Sequence, residues 1–189
     1  LYTLDILYNV TFFITLIYGW QIYSGSAAIR GNTKGIAFMF AVFAALMLGL
    51  YDIGYGYSGD RELYAYFFLQ HVNSDISWNE ILSNKEWAFY LYQNLTSFLE
   101  EPQYWFVLTA FIYVFNYYFV AKKIAPENTL LLFLAVVGAF CFNSYGTNTI
   151  RAGLALSFVV VGMTYYENIW KSFVQMFILL KEAWVRLYI

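Results

Sequence analysis

Long apolar runs constrain this chain more than any other sequence feature. Residues 129–142, for example, are apolar at nearly every position, and several other runs are comparable. A helix of about 20 apolar residues crosses the hydrocarbon core of a bilayer, and backbone groups within lipid must pair with one another. A β-barrel would alternate polar and apolar residues, which these runs do not. The pattern therefore predicts transmembrane helices.

The composition excludes two broad classes of protein. Hydrophobic residues make up 61% of the chain and charged residues only 12%, whereas soluble domains carry about 25% charged residues. The net charge of −2 argues against a nucleic-acid partner. A single cysteine, Cys141, excludes a disulfide within the chain. A soluble domain and a nucleic-acid-binding protein are thus both disfavoured.

The apolar runs predict an all-α fold, a polytopic transmembrane helical bundle of about five to six spans. Residues 1–189 are expected to form a single transmembrane domain. Because the chain begins with Leu1 rather than Met, we expect that part of the protein is missing. The last apolar stretch, 172–189, contains charged residues and fits either a sixth span or an interfacial helix. The five other spans are predicted at residues 4–23, 35–51, 103–121, 128–142 and 149–166.

Loop charges predict the orientation of these spans. Bases cluster in residues 24–34, at Lys122 and Lys123, and at Lys171. Short loops rich in Lys and Arg stay cytoplasmic. The long stretch 52–101, where acids outnumber bases eight to two, is therefore expected outside. The turn predicted at residues 143–148 and the N-terminus are expected on the same outer side.

The outer stretch is predicted to contain amphipathic helices rather than plain loop. Residues 60–68 are rich in Tyr and Phe, and residues 87–98 have apolar side chains at helical spacing. An aromatic belt at the membrane surface explains any single Tyr. As a group beside acids and an Arg, these rings also suit stacking on a sugar, so Tyr64 and Tyr66 are candidate sugar contacts.

Arg151 is the most informative single residue. It lies in the first turn of the predicted fifth span, where an ionised group costs about 2.5–3.5 kcal/mol on insertion scales. A helix N-terminus offers unpaired N–H groups, and together with Arg it forms a good phosphate site. The alternative is an Arg that extends to the membrane surface without a functional role.

A second candidate constellation is Gly59-Asp60-Arg61-Glu62. Its two acids could act as a general base or hold a divalent cation, but Arg61 between them reduces the need for an ion, and no cofactor is expected. The alternative is a solvated loop with a local ion pair. A Gly-x-Ser-Gly pattern at 56–59 occurs in intramembrane serine proteases, but no second span supplies a base, since the only His is His71.

Three segments together resemble the EpsG-like polysaccharide polymerases. Residues 59–67, Gly-Asp-Arg-Glu-Leu-Tyr-Ala-Tyr-Phe, resemble the outer-loop motif of that family. Residues 85–95 resemble its next segment, a Glu followed by an aromatic helix. Residues 148–155 are similar to its Asn-x-x-Arg-x-Gly-x-Ala signature. The resemblance covers about residues 35–166. Family members are typically longer, and their downstream His-Ser-Ala segment is absent here, which also suggests a partial chain.

The resemblance implies a Wzy-type enzyme in the bacterial inner membrane. Such enzymes join oligosaccharide repeat units carried on undecaprenyl pyrophosphate at the outer face, in capsule, O-antigen or exopolysaccharide synthesis. Chain-length regulators or flippase proteins are implied as partners. We expect Asp60 to be the base or to orient the acceptor, with Glu62 second. We expect Arg151 to stabilise the leaving pyrophosphate, helped by Arg61. The other expected substrate contacts are Tyr64, Tyr66, Glu86 and Asn148.

A transporter or flippase for a lipid-linked or anionic substrate is the alternative function. Acids near the bilayer midplane and helices broken within the membrane would favour transport. The sequence shows no Gly-Pro pair inside a span, so we expect unbroken spans and favour the enzyme. A structural subunit of a larger complex is a third reading.

Overall fold

The computed structural model describes residues 2–23, 33–53, 60–74 and 76–166, and within these ranges the regular structure is helical throughout. The all-α prediction is therefore confirmed. A 3-10 turn, Ser97–Leu99, precedes α6. The helices are α1 Tyr2–Tyr23, α2 Thr33–Gly49, α3 Asp60–Asn73, α4 Trp78–Ser83, α5 Trp87–Leu95, α6 Pro102–Ile124, α7 Thr129–Val137, α8 Phe140–Thr147 and α9 Ile150–Tyr166.

Local sequence explains where the shorter helices and α6 begin. Ser77 and Glu80 form a reciprocal capping box that starts α4. Pro102 occupies the first turn of α6, where its missing N–H removes no helical hydrogen bond. Lys122 and Lys123 lie in the last turn of α6, where positive charge favours the helix dipole.

The main bundle is built from α2, α6 and α7, with α1 packed against α2 and α7. A Cβ placed on Gly49 would lie 2.7 Å from the Cα of Val107, so only glycine permits this approach of α2 to α6. Near the other end of the pair, the rings of Phe38 and Phe115 are 5.6 Å apart. The two helices are therefore antiparallel. The buried face of α2 is rich in small side chains, which allow close packing: Ala37, Ala41, Ala44 and Ala45.

A second, smaller core lies at the end of the bundle where α2 finishes. It joins α3, the start of α6 and the start of α9 through Phe68, Trp105 and Ile150. The rings of Phe68 and Trp105 stack at 5.3 Å. The helices predicted within residues 52–101 are thus present as α3, α4 and α5. Their position at a membrane surface stays a prediction.

The two ends of the bundle differ in charge. Helices α6 and α9 run parallel, because Asn116 Nδ2 donates to Ser157 Oγ at 3.0 Å and Lys123 Nζ lies 5.8 Å from the ring of Tyr165. Arg151, at the start of α9, is consequently far from Lys123 along the helix axes. This arrangement agrees with the separation of charges expected from the sequence, although the orientation relative to a bilayer stays a prediction.

The predicted fourth span is wrong as a continuous helix. Helix α7 ends at Val137, and α8 continues after a bend of 67°. Residues 143–148, expected as an outer turn, largely belong to α8. Asn143 Nδ2 donates to the Val137 carbonyl at 3.1 Å, and Tyr113 Oη donates to the Phe142 carbonyl at 2.9 Å. Hydropathy averages cannot register side chains that pair with the backbone at a bend.

The number of spans is not settled by helix length and hydropathy. Among the described residues, α6 is the one helix long and apolar enough to cross a bilayer, and α7 with α8 would be a second as a broken span. Helices α2 and α9 are apolar but shorter. The count of five to six therefore stays a prediction. Residues 172–189, Arg30, Gly59 and Lys171 lie outside the described residues.

Candidate functional site

An ion pair between Arg151 and Glu86 marks the candidate site. Arg151 lies on the first turn of α9, and Glu86 is the residue that caps the start of α5. The Glu86 carboxylate makes no side-chain capping hydrogen bond, so it is available to the guanidinium. Because the side chains are 47% and 41% exposed, the pair is open to a ligand from solution.

Tyr64 on α3 lies beside Arg151 of α9 and Glu86 at the start of α5, so three separate segments contribute to the site. Partial burial raises the pKa of the Tyr64 phenol, while the positive charge of Arg151 and the nearby backbone N–H of Arg151 act to lower it. The phenol therefore stays neutral near pH 7 and lies beside the start of α9. Three of the predicted site residues, Tyr64, Glu86 and Arg151, are brought together.

The ion pair lies between two clefts of different character. The polar cleft, about 530 Å³ in volume, is lined in part by Lys85, Glu86 and Arg151. The apolar groove, about 450 Å³, shares those three residues and Phe89. The remaining wall of the polar cleft comprises Tyr64, Phe67, Ser83, Asn84, Tyr90 and Gln93. The remaining wall of the apolar groove comprises Trp87, Ala88, Tyr92, Leu154, Ala155 and Phe158.

The arrangement suits an amphipathic anion. Arg binds phosphate oxygens through parallel hydrogen bonds, and Lys adds a second positive charge. Tyr92 holds the groove wall in place, since its hydroxyl is 2.7 Å from Thr109 Oγ1 on α6. Burial raises the pKa of Tyr92 to about 12, so this hydroxyl also stays protonated.

Arg61 has a different environment from the one expected. It is buried, and its guanidinium donates to the carbonyls of Leu48 at 3.1 Å and Gly49 at 2.7 Å. These carbonyls end α2, where a cation is favourable. The guanidinium also lies 4.0 Å from the centre of the Phe106 ring. Burial lowers the pKa of Arg61 to about 10, so it remains charged at neutral pH. The geometry favours a role for Arg61 in capping the C-terminus of α2 rather than in binding substrate.

The other predicted site residues line neither of the two clefts. Asp60 is exposed on the first turn of α3, and Glu62 is half-buried. Tyr66 is exposed, and Asn148 is exposed at the end of α8. In the part of the chain that the structure describes, no three metal-ligating side chains cluster. The expectation that Asp60 and Glu62 act without a divalent cation stays a prediction.

Gln93 is the site residue that sequence reasoning missed. Its side chain is fully buried at the polar cleft, and neither its Oε1 nor its Nε2 has a hydrogen-bond partner. The signal available in the sequence is a polar residue within the apolar pattern of residues 87–98. Lys85 was similarly assigned no role, although it lines both clefts.

The helices and the clefts define a class of protein. It is a helical bundle with an apolar core and, at one end, an open site that carries Arg151 and Lys85. The family model that matches is the EpsG family, over residues 36–184, and the chain belongs to that family. This family is of the Wzy-like polysaccharide polymerase type and is membrane-associated. The resemblance in the sequence is confirmed and extends beyond residue 166. No curated protein and no solved structure matches the chain.

Proposed function

We propose that this chain joins lipid-pyrophosphate-linked oligosaccharide repeat units into a polysaccharide. One observation carries the proposal beyond family membership: the Arg151–Glu86 pair lies between the polar cleft and the apolar groove. A lipid-linked glycan has the same division, with a sugar on one side of a pyrophosphate and a hydrocarbon chain on the other. A simple ion or a free sugar would use only part of this surface.

Each part of such a substrate has a matching wall. The pyrophosphate is placed at Arg151 and Lys85, where charge-assisted hydrogen bonds are strong. The sugar is placed in the polar cleft against the rings of Tyr64 and Tyr90. The lipid is placed along the apolar groove, where Phe158 is exposed. Burial of the lipid there contributes about 25 cal/mol per Å² of apolar surface.

The proposed reaction is a displacement at the anomeric carbon. A hydroxyl oxygen of the acceptor forms the new glycosidic bond, and the bond from that carbon to the pyrophosphate oxygen breaks. The electron pair leaves with the lipid pyrophosphate, and the acceptor proton passes to a carboxylate. Because charge builds on the leaving group, Arg151 stabilises the transition state more than the ground state. No divalent ion is required for this step.

Glu86 is the carboxylate that we now propose as proton acceptor. It is paired with Arg151, whereas Asp60 and Glu62 line neither cleft. A general base must come within hydrogen-bond reach of the proton that it takes. Asp60 stays the second candidate, because it lies one helical turn before Tyr64 on α3 and movement of α3 would bring it closer.

The carrier and the location follow from the family resemblance and the charge pattern. We propose undecaprenyl pyrophosphate as the carrier and the outer face of the bacterial inner membrane as the place of reaction, within capsule, O-antigen or exopolysaccharide synthesis. The acidic, cleft-bearing end supports this orientation, since Lys122 and Lys123 lie at the other end. Chain-length regulators and flippase proteins are the proposed partners.

Incubation with a synthetic lipid-pyrophosphate oligosaccharide tests the polymerase directly. The purified protein in lipid nanodiscs is expected to produce a ladder of longer glycans on a gel. It should release one lipid pyrophosphate for each glycosidic bond formed. Chelator should leave the ladder unchanged. The absence of both products, with substrate binding intact, would contradict the polymerase.

The bend between α7 and α8 favours one second candidate, a flippase for the same lipid-linked substrate. Discontinuous helices occur at the binding sites of many transporters. Proteoliposomes with a fluorescent lipid-pyrophosphate sugar in one leaflet separate the two functions. Movement between leaflets without glycan growth would favour transport, and growth without movement would favour the enzyme.

A further inference from the structure

The Gln93 amide is a buried polar group without a partner at the wall of the polar cleft. The side chain is 0% exposed, and neither Oε1 nor Nε2 makes a hydrogen bond. Nearly all buried polar side chains in native proteins are hydrogen-bonded. An amide in this state is stabilised by a ligand that supplies both an acceptor and a donor.

The surroundings of Gln93 narrow the chemistry of that ligand. The amide offers one acceptor and a donor group in one plane, which matches a second amide with two antiparallel hydrogen bonds. Phe67 and Phe89 provide apolar wall in the same cleft, suited to a methyl group. Tyr90 provides a ring face for a pyranose. Arg151 and Lys85, which also line the cleft, are available to a charged group of the ligand.

We infer that the polar cleft recognises a sugar bearing an acetamido group, and that Gln93 is the specificity-determining residue that reads it. Nε2 donates to the acetamido carbonyl, and the acetamido N–H donates to Oε1. The acetyl methyl lies against the phenylalanine rings. The inference rests on the proposed function, because it describes the sugar of the same lipid-linked substrate.

The approach of the sugar requires a small local change. Since Gln93 is closed to water, a neighbouring side chain must rotate before the amide is reached. Tyr90 is the candidate, since it lines the cleft one helical turn before Gln93. The ring of Tyr90 rests against the ring of His71, with centres 5.1 Å apart. Rotamer changes of this kind are common at binding surfaces.

Binding of two matched lipids to the protein in nanodiscs tests the inference. Both are prenyl pyrophosphates of one chain length, one carrying N-acetylglucosamine and the other glucose. The wild-type protein is expected to bind the acetamido lipid about thirtyfold more tightly, as two net hydrogen bonds imply. Gln93→Leu should abolish the preference, and Gln93→Asn, with a shorter amide, should reduce it.

Thermal unfolding of the same variants separates recognition from structure. Gln93→Leu replaces an unpaired polar group with an apolar one and should raise the Tm, whereas a structural glutamine would give a lower Tm. The matched control is Gln103→Leu. Gln103 donates to the Gly49 carbonyl at 2.6 Å, so its loss should lower the Tm and leave the sugar preference unchanged.

The outcomes distinguish this inference from the proposed function. Equal binding of the two lipids by the wild-type protein would overturn the acetamido inference and leave the polymerase standing. A preference that survives in Gln93→Leu would overturn the role of Gln93. Failure of both lipids to bind would count against both the inference and the proposed function.

Discussion

The guanidinium of Arg151 and the carboxylate of Glu86 form an ion pair across 65 residues of sequence. The contact ties the start of α9 to the start of α5, two helices that are not neighbours in the sequence. Exposed ion pairs contribute little stability, typically 0–1 kcal/mol. The placement of this pair between two clefts is the basis for the substrate role that we propose for it.

Arg151→Lys tests the role of the guanidinium. The charge is kept but the two-point hydrogen bonding is lost, so turnover should fall by about a hundredfold or more, comparable to removing one oxyanion donor. Lipid binding should weaken less than turnover. In a flippase, binding and flux would fall together. A variant with nearly normal turnover would show that Arg151 merely extends to the membrane surface.

Glu86→Gln and Asp60→Asn form a matched pair for the proton acceptor. Each removes one negative charge with almost no change in shape. We expect Glu86→Gln to lower kcat by about a hundredfold and to leave the Tm within a few degrees, and we expect Asp60→Asn to be nearly silent. The measurement is the initial rate of glycan growth. The reverse order of effects would restore Asp60 as the base.

Arg61→Met should destabilise the fold. The change keeps much of the side-chain volume but leaves the Leu48 carbonyl without its buried donor, at a cost of about 1–3 kcal/mol. Denaturation in detergent should show a lower midpoint, while folded molecules keep their turnover. Lys34→Met is the control, since Lys34 is exposed at the other end of α2. Unchanged stability together with lost turnover would instead favour a role at the substrate.

Two glycines of α9 provide a comparison within one helix. A Cβ on Gly153 would lie 2.6 Å from the Tyr145 carbonyl oxygen, whereas a Cβ on Gly162 meets nothing within 4 Å. Gly153→Ala should therefore destabilise by about 1–3 kcal/mol, and Gly162→Ala should be neutral or slightly stabilising. Thermal unfolding of both variants gives the comparison. Equal midpoints would contradict the close contact of α8 with α9.

The orientation of the bundle can be measured with a membrane-impermeant thiol reagent. After replacement of Cys141, single cysteines are placed at Asp60 and at Lys122. The reagent should label the first position in intact cells and the second only after the membrane is opened. Labelling at position 122 in intact cells would reverse the topology and move the clefts to the cytoplasm.

The sequence predicts the all-helical class, the helices within residues 52–101 and part of the candidate site, but it misses the bend between α7 and α8. Arg151 was found because a charge at the start of an apolar run is costly, and Glu86 came from the family resemblance. Their contact was not predictable, since nothing local relates two residues 65 positions apart. The sequence predicts Arg61 at the substrate, since its burial at the end of α2 depends on tertiary packing. Gln93 was missed for the same reason.

The bend between α7 and α8 has a consequence for the order of assembly. Helix α7 has nine residues, about 13 Å of helix, which is too short to settle across the membrane by itself. The Phe142 carbonyl, in the first turn of α8, accepts a hydrogen bond from the hydroxyl of Tyr113, which belongs to α6. Since α6 is synthesised first, its tyrosine is already present when the bent segment leaves the ribosome. The bent segment is therefore expected to enter the membrane only beside α6. A chain that contains α7 and α8 but lacks α6 would have no partner for the Phe142 carbonyl.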